Sequence, residues 1–302
     1  MLARLNLAQP EDPRVKPVNG FNDIVNSAGA AISPDFFVRP EFLGLNRQGG
    51  FRQRSNWGKS SYHSLQANLR RRMGKWVTGN FSYTWAKSID TVSSDGAVVE
   101  HNALKIAANR AASDFDRAHR FTAAYVIELP TPEFARGSAW GKAVLGGWNI
   151  SGLATLQTGT PFSLLGNATR NASFAQPSRV RLSMVPGKTY DDAVRSGRTQ
   201  NRLTNYFDPS AFMDSLDQWG STGRNILRGP KQVQYDFMFG KQMRFSERLQ
   251  GEFRWEMYNA FNRPVFTNPA STFAANGPGT AGVISSTIGG PRTMQTAVRI
   301  RF

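Results

Sequence analysis

The chain has 302 residues, with 37 Lys or Arg against 21 Asp or Glu, so its formal net charge is +16. It contains no cysteine, which excludes disulfides and thiolate metal sites. No run approaches the roughly 20 apolar residues of a membrane-spanning helix, but the half-apolar strands of a membrane barrel are compatible with this composition. The positive charge suggests either a polyanionic partner or ordinary solvated surface charge, and both stay open.

The first predicted elements form a β-hairpin. In SYHSLQANLRRR, residues 61–72, apolar Leu65, Ala67 and Leu69 alternate with polar residues. A short turn at 73–75 leads into WVTGNFSYTWAKS, which alternates in the same way. Its apolar row is Val77, Phe81, Tyr83 and Trp85. A period of two over this length indicates strands with one apolar and one polar face.

The same period recurs in five further segments, which we predict to be strands. Their apolar rows are Phe121, Ala123, Tyr125, Ile127 and Leu129; Trp148, Ile150, Gly152, Ala154 and Leu156; Tyr235, Phe237 and Phe239; Leu249, Phe253, Trp255 and Met257; and Met294, Thr296, Val298, Ile300 and Phe302. Alternation alone does not separate a membrane barrel from a soluble sheet, because both have one apolar face.

The connections between these strands alternate in length. Residues 73–75 and 245–248 are tight and 130–146 is moderate, and all three fall on the side where Phe302 ends. The remaining connections are long and rich in Gly, Pro, Asn and Ser, and are 1–60, 89–118, 158–232 and 262–291. Long loops are unusual inside a compact soluble domain, whereas this alternation is typical of a transmembrane barrel with long extracellular loops.

Strand length and aromatic placement also favour a barrel. Strands of about 11 residues match the ~9–11 that cross a membrane at a tilt, and exceed the ~5–6 common in sandwiches. Tyr and Trp near the ends of apolar rows fit the two membrane–water interfaces. The predicted lipid-facing or girdle residues are Phe81, Tyr83, Trp85, Tyr125, Trp148, Phe253 and Trp255.

Successive blocks of the chain resemble one protein family. They include DFDRAHRFTAAYVIELP and LGGWNISGLATLQTGTPFSL, and the most specific are GRNILRGP with its following strand and YNAFNRP. These blocks are similar to TonB-dependent outer-membrane receptors of the Oar-like type, the carboxypeptidase-regulatory-like-domain-containing receptors of acidobacteria. The resemblance implies a barrel of about 22 strands around a plug, which takes up a scarce ligand with energy supplied through TonB.

The sequence departs from that pattern, since we count about 7–8 long strands and identify no plug domain, TonB box or signal peptide. We therefore expect residues 1–302 to be the C-terminal part of such a barrel, with a loop-rich leading segment at 1–60 and strands and loops at 61–302. The expected fold is all-β, a partial antiparallel transmembrane barrel or open curved sheet. Such a part is not expected to transport alone.

The resemblance also implies partners and a location. The location is the outer membrane of a Gram-negative bacterium, with outer-membrane lipid and lipopolysaccharide as surroundings. TonB is expected to act only through N-terminal parts that this sequence lacks. The transported ligand stays unknown, and no nucleic acid is expected.

The terminal MQTAVRIRF resembles the recognition signal of outer-membrane proteins, which the barrel assembly machinery binds as an added strand. The residues assigned to this signal are Phe302, Ile300, Val298 and Met294. Phe302 is alternatively a simple interfacial anchor, and the two roles are compatible.

Candidate catalytic or metal-binding groups are few. His63, His101 and His119 have no ligand-like spacing. Asp114 and Asp116 precede His119 and suit a cation or acid–base chemistry, but they directly precede a strand. We expect no catalytic residue, metal or cofactor, and no enzymatic activity; an outer-membrane enzyme is the weakest hypothesis.

Basic residues cluster in two of the long connections. They are Arg47, Arg52, Arg54 and Lys59 in the first, and Arg195, Arg198, Arg202, Arg224, Arg228 and Lys231 in the second. Arginine suits bidentate contact with phosphate, so these loops either bind polyanions such as lipopolysaccharide or merely add solubility. The alternative function is accordingly a soluble or surface β-sandwich that binds polyanions through these loops.

Overall fold

The structure is a computed structural model, and it describes residues 58–74, 76–94, 106–166, 181–214, 220–246, 248–274 and 277–302. Two paired segments, Lys16–Pro17 and Phe37–Val38, are described by their backbone alone. The predicted leading segment 1–60 therefore lies almost wholly outside the described residues, as do Arg47, Arg52, Arg54 and His101.

Alternating residues form long antiparallel strands at each of the predicted places. The seven long strands are β1 (Ser60–Met73), β2 (Val77–Asp90), β3 (His119–Glu128), β4 (Trp148–Gln157), β5 (Gln232–Arg244), β6 (Gln250–Tyr258) and β7 (Thr293–Arg301). They form one sheet in which each strand pairs with its neighbour in sequence. An eighth short strand, Ala111–Ala112, pairs with the end of β2. The all-β antiparallel prediction is confirmed.

This order places the connections on two opposite sides of the sheet. The turn side carries residues 74–76, 129–147 and 245–249, together with the end of β7. The loop side carries 91–118, 158–231 and 259–292. The predicted alternation of short and long connections is confirmed. The sheet is open, because within the described residues β1 pairs only with β2, and β7 only with β6.

The connections contain short helices and short paired strands. The helices are α1 (Ala139–Leu145) and α2 (Tyr190–Ala193), and the 3-10 helices are Ile106–Asn109, Glu133–Ala135, Thr199–Arg202 and Pro209–Ala211. The two-stranded pairs are Pro161–Phe162 with Leu227–Arg228, Ser183–Met184 with Phe212–Met213, and Val265–Phe266 with Thr287–Ile288. None of the described helices is long and apolar enough to cross a membrane.

The buried apolar core lies in the long loop-side connections and not on the sheet. Its residues are Phe162, Leu164, Leu182, Ala193, Phe207, Ala211, Phe212, Leu227, Phe273 and Ala281. Phe207 is central, with its ring near those of Phe162 and Phe212 at 6.0 and 6.2 Å between centroids. Segments from the second and third loop-side connections therefore fold together over the loop side of the sheet.

The junction between α1 and β4 depends on a glycine. Gly147 has φ +73°, and a Cβ built on it would lie 2.2 Å from the carbonyl oxygen of Gln242. The backbone there is close because the amide of Gln242 donates to the carbonyl of Gly147 at 2.8 Å. We expect Gly147→Ala to lower the free energy of unfolding by about 1–3 kcal/mol, since it adds both strain and a clash. Urea unfolding in detergent micelles, followed by tryptophan fluorescence, measures this change.

The matched control is Gly137→Ala. Gly137 lies in the same connection, and a Cβ there would meet nothing within 4 Å. An unfolding midpoint of Gly147→Ala equal to that of this control would contradict the assigned backbone geometry.

Candidate functional site

The pairing register brings the apolar rows of neighbouring strands onto one face. Phe81 is paired with Leu69 of β1 and with Ala123 of β3, and Ala123 is paired with Ala154 of β4. The same alignment continues through β5 and β6 to Val298 of β7. We call this surface the apolar face; its members are Leu65, Ala67, Leu69, Val77, Phe81, Tyr83, Trp85, Phe121, Ala123, Tyr125, Ile127, Trp148, Ile150, Gly152, Ala154, Leu156, Val233, Tyr235, Phe237, Phe239, Phe253, Trp255, Met257, Met294, Thr296, Val298 and Ile300.

Large apolar side chains on this face are open to the surroundings. Leu65, Trp85, Val298 and Ile300 are all exposed. The described residues supply no second long-stranded sheet over the face, which the sandwich hypothesis requires. A contiguous apolar surface of this kind marks contact with a membrane or another apolar partner.

We call the alternate strand positions on the side of the apolar face the outward rows. Charged residues in these rows are confined to the strand ends. Among the described residues, Lys87 lies toward the loop side, and Arg71 and Lys241 lie toward the turn side. Long basic side chains at such positions can carry their charge to an interface. The band between them is uncharged in every long strand.

All seven predicted lipid-facing or girdle residues share the apolar face. Trp148 is the first residue of β4, on the turn side, whereas Tyr83, Trp85 and Trp255 lie in the interior of their strands. The aromatic ring of Tyr125 lies over Gly152, where a Cβ would come within 2.5 Å of the ring. Contact of these seven residues with lipid stays a prediction.

The opposite rows form a concave polar face. A cavity of about 570 Å³ is lined by residues from β1 to β6. Its lining combines polar side chains, among them Arg70, Asp236 and Glu256, with apolar Val126 and Leu153. Because one cavity spans six strands, the sheet curls toward its polar face, as a barrel wall curls around its lumen.

Polar side chains on this face form hydrogen bonds and ion pairs with one another. The side chain of Gln295 on β7 donates to Glu256 on β6, and the hydroxyl of Tyr258 donates to the same carboxylate at 3.1 Å. Arg254 lies 3.5 Å from both Glu252 and Glu256. The charged groups of β6 are thus paired on the concave face, which suits a water-filled or ligand-lined interior.

At the loop side, the two blocks DFDRAHR and GRNILRGP contact each other. Arg224 pairs with Asp90, and both side chains are almost fully buried, at 4% and 3% exposure. Arg228 pairs with the buried Asp116. The side-chain amide of Asn225 donates to Asp114 at 2.6 Å and to the backbone carbonyl of Ala112 at 2.7 Å. We call these contacts the loop-side network.

Most arginines of the second basic cluster are engaged in internal contacts. Arg224 and Arg228 form ion pairs with internal carboxylates, and Arg195 forms an ion pair with Asp208 at 2.9 Å. Arg202 donates to backbone carbonyls of Arg195 and Tyr206. Arg198 and Lys231 are exposed, as is Lys59.

The candidate Asp114–Asp116–His119 group is divided between different contacts. Asp116 accepts from the amide of Ser88 at 2.8 Å in addition to pairing with Arg228. His119 belongs to the outward row, and its Nδ1 forms a hydrogen bond of 2.8 Å with the hydroxyl of Tyr83. No cluster of three potential metal ligands occurs within the described residues. The expected absence of catalysis is not tested by these contacts.

Open apolar and concave polar faces on one antiparallel sheet define a membrane β-barrel protein. One family model, described as an outer membrane beta barrel domain, matches residues 4–295. The chain therefore belongs to this family, and its location is the outer membrane. No curated protein and no solved structure matches the chain significantly.

The buried Arg224–Asp90 pair yields a stability prediction. Arg224→Ala leaves the Asp90 carboxylate buried without its partner, so we expect a loss of about 3–5 kcal/mol of unfolding free energy. Arg195→Ala removes a pair whose side chains are 42% and 30% exposed, and we expect a loss of only about 0–1 kcal/mol. Urea unfolding of both variants in micelles measures the difference. Equal losses would contradict the buried role of Arg224.

Asp208 yields a pH prediction. Hydrogen bonds from the hydroxyl and amide of Ser210, and the charge of Arg195, lower the pKa of Asp208 below its usual value. The contribution of Asp208 is therefore present above the unfolded pKa and is lost as the pH falls through the lower, folded pKa. We expect the difference in unfolding free energy between wild type and Asp208→Asn to shrink from about pH 7 to about pH 2. A difference that grows on acidification would contradict this sign.

Proposed function

We propose that the chain is the C-terminal β-barrel portion of a TonB-dependent, Oar-like receptor that takes up a ligand across the outer membrane, and that this portion is not transport-competent alone. The observation that carries the membrane role is the apolar face, which is continuous over seven strands and backed by a concave polar face. The quoted blocks, above all GRNILRGP and YNAFNRP, support the receptor type.

Strand parity supports a larger barrel. β1 and β7 both run from the loop side to the turn side, so joining their free edges directly would place two parallel strands side by side. Outer-membrane barrels of a single bacterial chain are antiparallel with an even number of strands. An odd number of further strands between these two edges satisfies that rule, as the remainder of a barrel of about 22 strands would.

The proposed partners follow from the two sides of the sheet. Outer-membrane lipid covers the apolar face, and lipopolysaccharide meets the loop side, where Lys59, Arg198 and Lys231 are exposed. TonB acts only through N-terminal parts of the receptor, and the ligand is of unknown chemistry. We propose no nucleic-acid partner, no cofactor and no catalytic role.

A charge introduced on the apolar face tests the membrane role. Phe81 lies mid-strand on β2, so Phe81→Arg places a guanidinium against hydrocarbon, at a cost of about 2–4 kcal/mol. We expect the folded fraction in phospholipid vesicles, measured by heat-modifiable gel mobility, to fall sharply. We also expect the wild-type chain to need detergent or lipid in order to stay dispersed.

Asn80→Arg is the matched control, because Asn80 is the adjacent residue on β2 and lines the polar cavity. We expect this variant to insert normally. Normal insertion of Phe81→Arg would contradict the assignment of Phe81 to the lipid-facing side. A wild-type chain that stays dispersed without amphiphile would favour the soluble polyanion-binding alternative.

We also propose that the free edge of β7 is bound by the barrel assembly machinery through strand addition. Phe302 is fully exposed, and Met294, Val298 and Ile300 are exposed on the same strand. Their side chains are therefore accessible to a partner that adds a strand and binds alternate residues.

Phe302→Ala tests this assembly role, with Arg301→Ala as its neighbour control. We expect Phe302→Ala to slow assembly in cells several-fold while leaving folding into pure lipid vesicles nearly unchanged. An equal loss in both settings would indicate interfacial anchoring alone. No loss in cells would refute recognition of Phe302.

A further inference from the structure

The turn-side connection between β3 and β4 presents large apolar side chains outside the sheet. The 3-10 helix Glu133–Ala135 and helix α1 pack together there, with Ala135 buried between them. Phe134 and Trp140 are nevertheless 84% and 82% exposed, and Val144 is also exposed. A cluster of large apolar side chains this open marks a site of contact with a membrane or another partner.

Contacts with β4 and β5 fix the position of α1 relative to the sheet. The indole nitrogen of Trp148 donates to the carbonyl of Val144 at 2.9 Å. The ammonium of Lys241 donates to the carbonyls of Val144 and Gly146 at 2.8 and 2.9 Å, and lies 4.5 Å from the centre of the Trp148 ring. Trp148 and Lys241 both belong to outward rows. The C-terminal end of α1 is therefore held on the outward side of the sheet.

Helix α1 is amphipathic over its short length. Trp140 and Val144 are four residues apart and share one side, whereas Lys142 points away from them. The hydroxyl of Ser138 caps the first turn by accepting from the amide of Gly141 at 2.7 Å. A helix of 7 residues is marginal in isolation, so its contacts with Trp148 and Lys241 help to maintain it.

We infer that α1 and Phe134 lie in the headgroup region of the phospholipid leaflet on the turn side, as an interfacial anchor beside the barrel wall. This inference rests on the proposed membrane placement of the apolar face, with which the anchor is continuous through Trp148. Trp suits this zone because its ring is apolar and its N–H is polar. Lys142 supplies positive charge for lipid phosphate, whereas Arg136 is paired with Glu133 at 3.7 Å and donates to the carbonyl of Thr131 at 2.9 Å. The apolar side of such a helix lies about 5–10 Å into the headgroup–acyl boundary.

The absence of native cysteine permits a site-specific test on the full chain. Val144→Cys keeps Trp140 in place, and Lys142→Cys is the control on the opposite side of α1. Phe81→Cys is the reference for the apolar face. Each variant is labelled with an environment-sensitive fluorophore and folded into phosphatidylcholine–phosphatidylglycerol vesicles. Bromine placed shallow or deep in the lipid acyl chains, and aqueous iodide, serve as quenchers.

We expect shallow bromine to quench the label at position 144 at least about twofold more than the label at 142, which iodide reaches more readily. Deep bromine should quench the label at position 81. Iodide access at 144 equal to that at 142, with position 81 still quenched by bromine, would overturn the anchor and leave the membrane role intact. That outcome would favour a periplasmic protein as the partner of α1. Absence of bromine quenching at all three positions would overturn the proposed function and the anchor with it.

Discussion

Every functional feature of this sheet depends on the register between neighbouring strands. Because side chains alternate sides along a strand, a slip by one residue would exchange the apolar and polar rows of that strand. The observed pairs align Leu69, Phe81 and Ala123 on one side over three strands, and the remaining strands continue the alignment. One uncharged apolar surface and one concave polar surface follow from that single constraint.

The loop side adds stability that a single open sheet lacks. The apolar core around Phe207 lies in the long connections. The loop-side network joins the second of these connections to the end of β2 through Asp90–Arg224, and to the first connection through Asp116–Arg228. The two buried carboxylates of this network, Asp90 and Asp116, each have an arginine partner, which compensates for the burial of their charge. The turn side is thinner and depends on close backbone packing at Gly147 and on the contacts of Lys241. The two ends of the sheet are thus stabilised by different means.

The strands and their facing were predictable from sequence because period-two alternation directly encodes which side chains share a side. Phe81 and Trp85 could be assigned to the apolar face without coordinates. The loop-side network could not, because Asp90 and Arg224 are far apart in sequence and no local pattern indicates their pairing. The arginines of GRNILRGP therefore looked like candidate phosphate ligands. Helix α1 was missed because seven residues with Gly141 inside carry little periodic signal. The available hint was the presence of two aromatic residues, Phe134 and Trp140, in a connection between strands.

A nitroxide scan along β5, with single cysteines introduced in turn from Val233 to Phe239 of the cysteine-free chain, tests directly whether this sheet separates lipid from a polar interior. In phospholipid vesicles, collision with lipid-soluble oxygen and with a water-soluble nickel chelate is measured at each position. We expect strict alternation: oxygen access at Val233, Tyr235, Phe237 and Phe239, and chelate access at Gln234, Asp236 and Met238. Uniform chelate access at all of these positions would contradict a strand that separates lipid from a polar interior.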